Sequence, residues 1–199
     1  MKTIITNKID EQTIRLKKGE ALTYIAFINK GWKEKKTLTF ELKEEDSRLN
    51  MIAVFIGKNE ETFPFNIIAK HKAKNTRANL SIRSVLFDKS QIDFTGNLIV
   101  PKNSQKTDTK LSHHSLMLSK ESKTLTTPCL EIEADDVKAG HAASSGHLDE
   151  EQMFYLETRG MSKLEAKAQL IKAFLKADLE NLNNDQALSY ISNKIDENL

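Results

Sequence analysis

Eight short apolar runs, rich in β-branched and aromatic residues, occupy the chain up to about residue 135: residues 22–28, 37–42, 51–56, 65–69, 80–87, 92–100, 115–118 and 129–133. Runs of this length, alternating or fully apolar, read as strands. Two-residue hairpin turns are usually written Asn-Gly or Asp-Gly. The sequence contains neither, and Gly96-Asn97 is its one hairpin candidate. Many strands with few hairpins predict a sheet that coils or stacks rather than meanders. A parallel β-helix meets that condition, since each rung joins the next through a corner of variable length. A β-sandwich meets it as well, and with no fixed-period repeat legible the pattern leaves both open.

After His147 the period becomes helical. Asp149 is placed to cap a helix, with Gln152 three residues on, and Arg159-Gly160 closes it. Ser162-Lys163-Leu164-Glu165 reads as a capping box opening a helix over residues 163–179. Its apolar stripe is Leu164, Ala168, Ile171 and Leu175, broadened by Phe174 and Leu179. Asn183-Asn184-Asp185 then breaks the pattern and caps a last short helix through Ile191 and Ile195. The expected division is a β core over residues 1–147 and a helical domain over 148–199.

Charge follows the same division. From Asp149 onward six Lys and Arg face ten Asp and Glu, a net of −4, so the overall +2 leaves +6 on the preceding residues. Aromatics do not interleave with the basic residues, which argues against a nucleic-acid surface. No run approaches the roughly 18 apolar residues of a membrane span, and the start of the chain never builds a secretory apolar stretch. The expectation is a cytoplasmic protein without a membrane partner. A single cysteine, Cys129, excludes an intrachain disulfide and any site of several cysteines. There is no G-x-x-x-x-G-K-[ST], G-x-G-x-x-G, G-x-S-x-G or H-E-x-x-H. The chain is therefore expected not to be an enzyme, and any nucleotide hydrolysis belongs to a partner.

One ordered set of motifs remains. It runs from His71-Lys72-Ala73-Lys74-Asn75-Thr76 through Arg83-Ser84-Val85-Leu86-Phe87-Asp88-Lys89-Ser90 and Phe94-Thr95-Gly96-Asn97-Leu98-Ile99-Val100 to Gln105-Lys106-Thr107-Asp108 and Ser115-Leu116-Met117-Leu118-Ser119. It ends in Thr127-Pro128-Cys129-Leu130-Glu131-Ile132-Glu133-Ala134-Asp135-Asp136-Val137-Lys138, then Gly140-His141, then Leu148-Asp149-Glu150-Glu151-Gln152-Met153-Phe154-Tyr155-Leu156 and Arg159-Gly160. This series resembles the core and C-terminal region of the SufB/SufD family of iron-sulfur cluster assembly proteins. It covers roughly half the chain, and residues 1–70 fit only loosely.

The resemblance implies a right-handed parallel β-helix followed by a small C-terminal helical domain. It implies a SufD-like scaffold that dimerises through the β-helix with a SufB-like subunit or a second copy of itself, and that docks a SufC-type ATPase through its tail. No tightly bound cofactor is expected, only a transient iron-sulfur cluster at the dimer interface. His141 matches the histidine that SufD-like members place near that interface, and is the candidate iron ligand. The partner-binding candidates are Asp149, Glu150, Glu151, Phe154, Tyr155 and Arg159. Family members often carry a cysteine two positions before the histidine, where this chain has Ala139. That departure counts against a SufB-like, cluster-nucleating homodimer, and Cys129 reads as a buried strand residue. A β-helix binding protein outside the Suf family is the remaining alternative. His113-His114 read as loop or surface residues that cannot share one ion if the segment is extended. Asp135-Asp136 read as strand neighbours with Lys138 as an ion-pair partner.

Overall fold

The computed structural model describes residues 2–179 and 184–199. Eleven strands precede three helices. In order they are β1 (Lys2–Thr6), β2 (Gln12–Leu16), β3 (Ala21–Ile28), β4 (Lys36–Leu42), β5 (Arg48–Gly57), β6 (Thr62–His71), β7 (Arg77–Leu86), β8 (Gln91–Val100), β9 (Thr107–Met117), β10 (Lys123–Ile132) and β11 (Val137–Gly146). Odd strands form a six-stranded sheet in the order β1-β3-β5-β7-β9-β11, and even strands a five-stranded sheet, β2-β4-β6-β8-β10. Every recorded pairing is parallel. The chain alternates between the two sheets and advances one rung each time, a β-helix of about five turns. The sandwich alternative is thereby set aside.

The repeat that the sequence hides is carried by the corners. Gly19, Asp46, Asn75 and Lys106 all have positive φ, at intervals of 27, 29 and 31 residues, each just before an odd strand. The hydroxyl after three of them donates back across the turn: Ser47 Oγ to Glu44 O (2.8 Å), Thr76 Oγ1 to Ala73 O (3.2 Å) and Thr107 Oγ1 to Ser104 O (2.8 Å). Asn and Asp tolerate the left-handed region, so the repeat is one of conformation with little identity of sequence. Gly96 is not in a hairpin. It lies inside β8, where an added Cβ would stand 2.5 Å from Leu111 Cδ2 and 2.8 Å from Phe94 Cζ. The glycine is there because the two sheets approach closely.

Inward side chains stack in rows. Tyr24, Met51, Leu80 and Leu111 form one, and Phe65 and Phe94 stand over each other with centroids 4.8 Å apart. The outer face of the six-stranded sheet is apolar in turn, with Ile25, Phe27, Ile52, Val54, Ile56 and Val85, and it is covered by two of the helices. These are α2 (Lys163–Lys176) and α3 (Asp185–Asn198), which bury Ile171, Leu175, Ala187, Ile191 and Ile195 against it, joined by Leu179 just beyond α2. The capping box at Ser162 and Glu165 is present, and Asn184 caps α3; Asn183 lies outside the described residues. Two stripe assignments change. Leu164 is 78% exposed, and Ala166 takes a buried place on the first turn. The first helix, α1 (Glu150–Thr158), buries none of its residues. Among the described residues no helix is long and apolar enough to cross a membrane.

Candidate functional site

β10 and β11 end their sheets, so among the described residues the last coil has no strand beyond it. Lys123 N donates to Ser90 O and Glu133 N to Val100 O, so odd residues of β10 face β8 and even residues turn their backbone groups to the open edge. Pro128, which has no N–H to offer, falls on the edge side, the position a strand proline tolerates. Leu130 and Ile132 continue the inward rows of Leu98 and Val100, yet are 36% and 40% exposed because nothing stacks on them.

His141 lies on β11, not in a loop at the β-to-α junction, and pairs with Leu111. It is the last member of the row Tyr24, Met51, Leu80, Leu111, so its imidazole stands at the open mouth of the β-helix and is exposed. Ala139 stands beside it, one inward position earlier. The rows behind this mouth change character along the β-helix axis. Ala26, Ala53 and Ile82 lead to His113 and Ala143, while Ile28 and Phe55 lead to Ser84, Ser115 and Ser145.

His113 is therefore no loop residue. It is buried, with Nε2 2.9 Å from Ser84 Oγ and Nδ1 2.7 Å from Thr126 Oγ1, and its ring meets Phe94 edge-on. Ser84 Oγ also donates to Ser115 Oγ at 2.8 Å. One imidazole thus ties β7, β8, β9 and β10 together from inside. Burial pushes its pKa down to about 3, with a further contribution from His114. His71, also buried, is lowered to about 4 by burial; Nδ1 lies 2.8 Å from Thr76 Oγ1 and Nε2 has no partner.

The remaining sequence candidates do not converge on the mouth. His114 faces the opposite side of the sheet from His113, as alternation requires, and His147 Nδ1 sits 2.8 Å from Met117 O. Cys129 is a strand residue but only half-buried, on the outward face beside Asn97. Asp135 and Asp136 lie in the turn between β10 and β11, exposed; among the described residues neither pairs with Lys138. No group of three or more His, Cys, Asp and Glu among the described residues is arranged to hold a metal ion.

The partner-binding candidates gather on α1 and its flanks. Asp149 caps the helix, accepting from the backbone of Glu151 and Gln152, and Glu150 and Glu151 fill its first turn. Phe154 is 69% and Tyr155 56% exposed, and the Arg159 guanidinium lies 5.2 Å from the Tyr155 ring centroid. A cleft of about 570 Å³ is lined by Phe154 together with Leu118, Leu148, Met153, Lys163 and Lys167. The sequence pattern did not reveal β1, β2 and β11, and with β11 the orientation of His141. His113, read from the sequence as a loop or surface residue, gave as its signal only a polar residue at an inward position of an alternating strand.

Comparison with known proteins finds a family for the chain as a whole. The family described as "SUF system FeS cluster assembly, SufBD core domain" matches residues 6–174. The iron-sulfur cluster assembly protein SufD of Escherichia coli (strain K12) is 42% identical over 71 residues, 36% of this chain and 16% of that protein. SufD of Bacillus subtilis (strain 168) is 39% identical over 82 residues, 39% of this chain and 19% of the relative. A SufBD family protein of Mycobacterium leprae (strain TN) is 46% identical over 50 residues, 25% of this chain and 13% of its own length. The aligned stretches thus span less than a fifth of these relatives.

Proposed function

This chain belongs to the SufBD core family of iron-sulfur cluster assembly proteins, and on that premise we propose that it is a SufD-like scaffold subunit, joined to its partner through the open end of the β-helix. The carrying observation is that mouth: two free strand edges, exposed Leu130 and Ile132, and His141 at the end of an inward row. Free edges bind strands, and a SufB-like subunit or a second copy of this chain supplies one. His141 then faces the junction and offers an imidazole to iron, the cargo, which nitrogen donors suit. With Ala139 in place of a thiolate and Cys129 on the outer face, this chain brings no sulfur ligand to the mouth, so thiolates come from the other subunit. The same two residues weigh against a cluster-nucleating homodimer.

The tail is assigned to a SufC-type ATPase. Asp149, Glu150, Glu151, Phe154, Tyr155 and Arg159 form the contact, because α1 exposes two aromatic rings and buries nothing of its own. Exposed aromatics beside a groove are the usual anchors of an interface. The test is capture of this chain by the purified ATPase from the same source, with and without ATP, comparing the full chain with a Phe154→Ala, Tyr155→Ala variant, which leaves α2 and α3 on the sheet. Capture that depends on the two rings is expected. Failure of the full chain to be captured in either state rules out the docking assignment and leaves the mouth to be tested by itself.

A further inference from the structure

Just beyond the end of α2, the Asp178 carboxylate accepts hydrogen bonds from Ser81 Oγ and Arg83 Nε of β7. The Arg83 guanidinium also covers the Phe174 ring, 5.0 Å from its centroid. On the same outward ladder Arg83 pairs with His114 of β9, and His114 with Ser144 of β11. His114 Nδ1 and Ser144 Oγ are 2.6 Å apart. A row of polar side chains therefore runs from the helical tail through β7 and β9 to the edge strand β11, three residues from His141, with Arg83 and His114 meeting as register neighbours. The charged groups that act on His114 are Arg83, Asp178 and Lys110.

We propose that Asp178, Arg83 and His114 are positioning residues that couple the tail to the β11 edge, so that displacing the tail loosens the strand that carries His141. Asp178 neutralises Arg83 one rung from His114. When the tail shifts, the carboxylate leaves, Arg83 loses its anchor, and its charge, no longer neutralised, lies beside the imidazole that is bonded to Ser144. Burial and the charges of Arg83 and Lys110 lower the His114 pKa while Asp178 raises it, so the imidazole reports directly on the carboxylate. Burial likewise raises the Asp178 pKa, but the Arg83 and Ser81 hydrogen bonds and the guanidinium charge outweigh it and leave it below the usual value. The functional meaning of the coupling rests on the scaffold assignment above; its existence does not.

The test is therefore made on the free full-length chain, without partners. In Asp178→Asn the His114 resonances are expected to titrate at lower pH than in the parent. Amide exchange over residues 141–146 is expected to rise about fivefold or more, the lower end of coupling between sites, while exchange in β5 and β7 stays unchanged. Ser144→Ala is expected to raise exchange in the same stretch, and adding Asp178→Asn to it is expected to change nothing further, because the link is already cut. An unchanged His114 titration in Asp178→Asn, or exchange effects of the two substitutions that simply add, overturns the proposal. Failed capture by an ATPase bears only on the docking assignment.

Discussion

At the scale of single residues, the interior histidines set an acid limit on the fold. His71 and His113 are held neutral with pKa values lowered to about 4 and about 3, below the ordinary value near 6.5. A folded-state pKa below the unfolded one contributes stability in full above about pH 6.5, lost as pH falls toward the folded value. Each pH unit in which the unfolded chain is protonated and the folded chain is not removes about 1.4 kcal/mol per histidine. Urea midpoints are thus expected to fall steeply between pH 6.5 and 4.5, and His113→Asn is expected to flatten that slope while lowering stability at pH 7.5 by about 1–3 kcal/mol. An unchanged slope in the variant removes His113 from the account. Gly96 belongs to the same scale. Gly96→Ala forces a Cβ against Leu111 and Phe94, a strain of about 1–3 kcal/mol to be read from denaturant unfolding. Neither role was legible in the sequence: Gly96-Asn97 carries turn chemistry, and paired histidines carry surface chemistry. Only the register across two sheets turns one into a packing requirement and the other into an inter-strand tie.

At the scale of elements, strands were legible where composition and packing agree. β3 to β8 each contain a run visible in the sequence, since their inward and often their outward residues are apolar. β11 reads Val-Lys-Ala-Gly-His-Ala-Ala-Ser-Ser-Gly, small and weakly strand-forming, and it is a strand because β9 offers it a complete ladder. That dependence hid the setting of His141. The helices were legible through their caps, which are local chemistry, but the phase of the α2 stripe was misjudged at its first turn, where Leu164 points to solvent and Ala166 packs. The two positions separate packing from docking. Ile171→Ala is expected to cost about 2–5 kcal/mol in chemical denaturation, whereas Leu164→Ala is expected to leave stability within about 0.5 kcal/mol. Comparable losses at both sites contradict this placement of the stripe.

At the scale of the whole molecule, the asymmetry of the β-helix is the informative feature. One broad face of it is sealed by α2 and α3, while the end formed by β10 and β11 stays bare and its interior grows polar towards the opening. A polar interior costs stability unless each group is paired. Here His113, Ser84, Ser115 and Thr126 pair with one another just inside the mouth, while the buried Thr109 and Thr124 hydroxyls of the same strands have no partner among the described residues, so the last coil is tied by one network without an apolar plug. That arrangement leaves the edge free to receive another strand. If it does, Leu130→Lys with Ile132→Lys puts two charges where a neighbouring coil must stack, at side chains that otherwise only stack on the Leu98 and Val100 rows. The double variant is expected to stay folded at micromolar concentration or below, with a midpoint lowered by the lost stacking of both side chains on Leu98 and Val100. It is also expected to lose any dimer seen by light scattering, either of the chain alone or with a SufB-like subunit. Retention of the dimer by the folded double variant moves the interface elsewhere on the molecule.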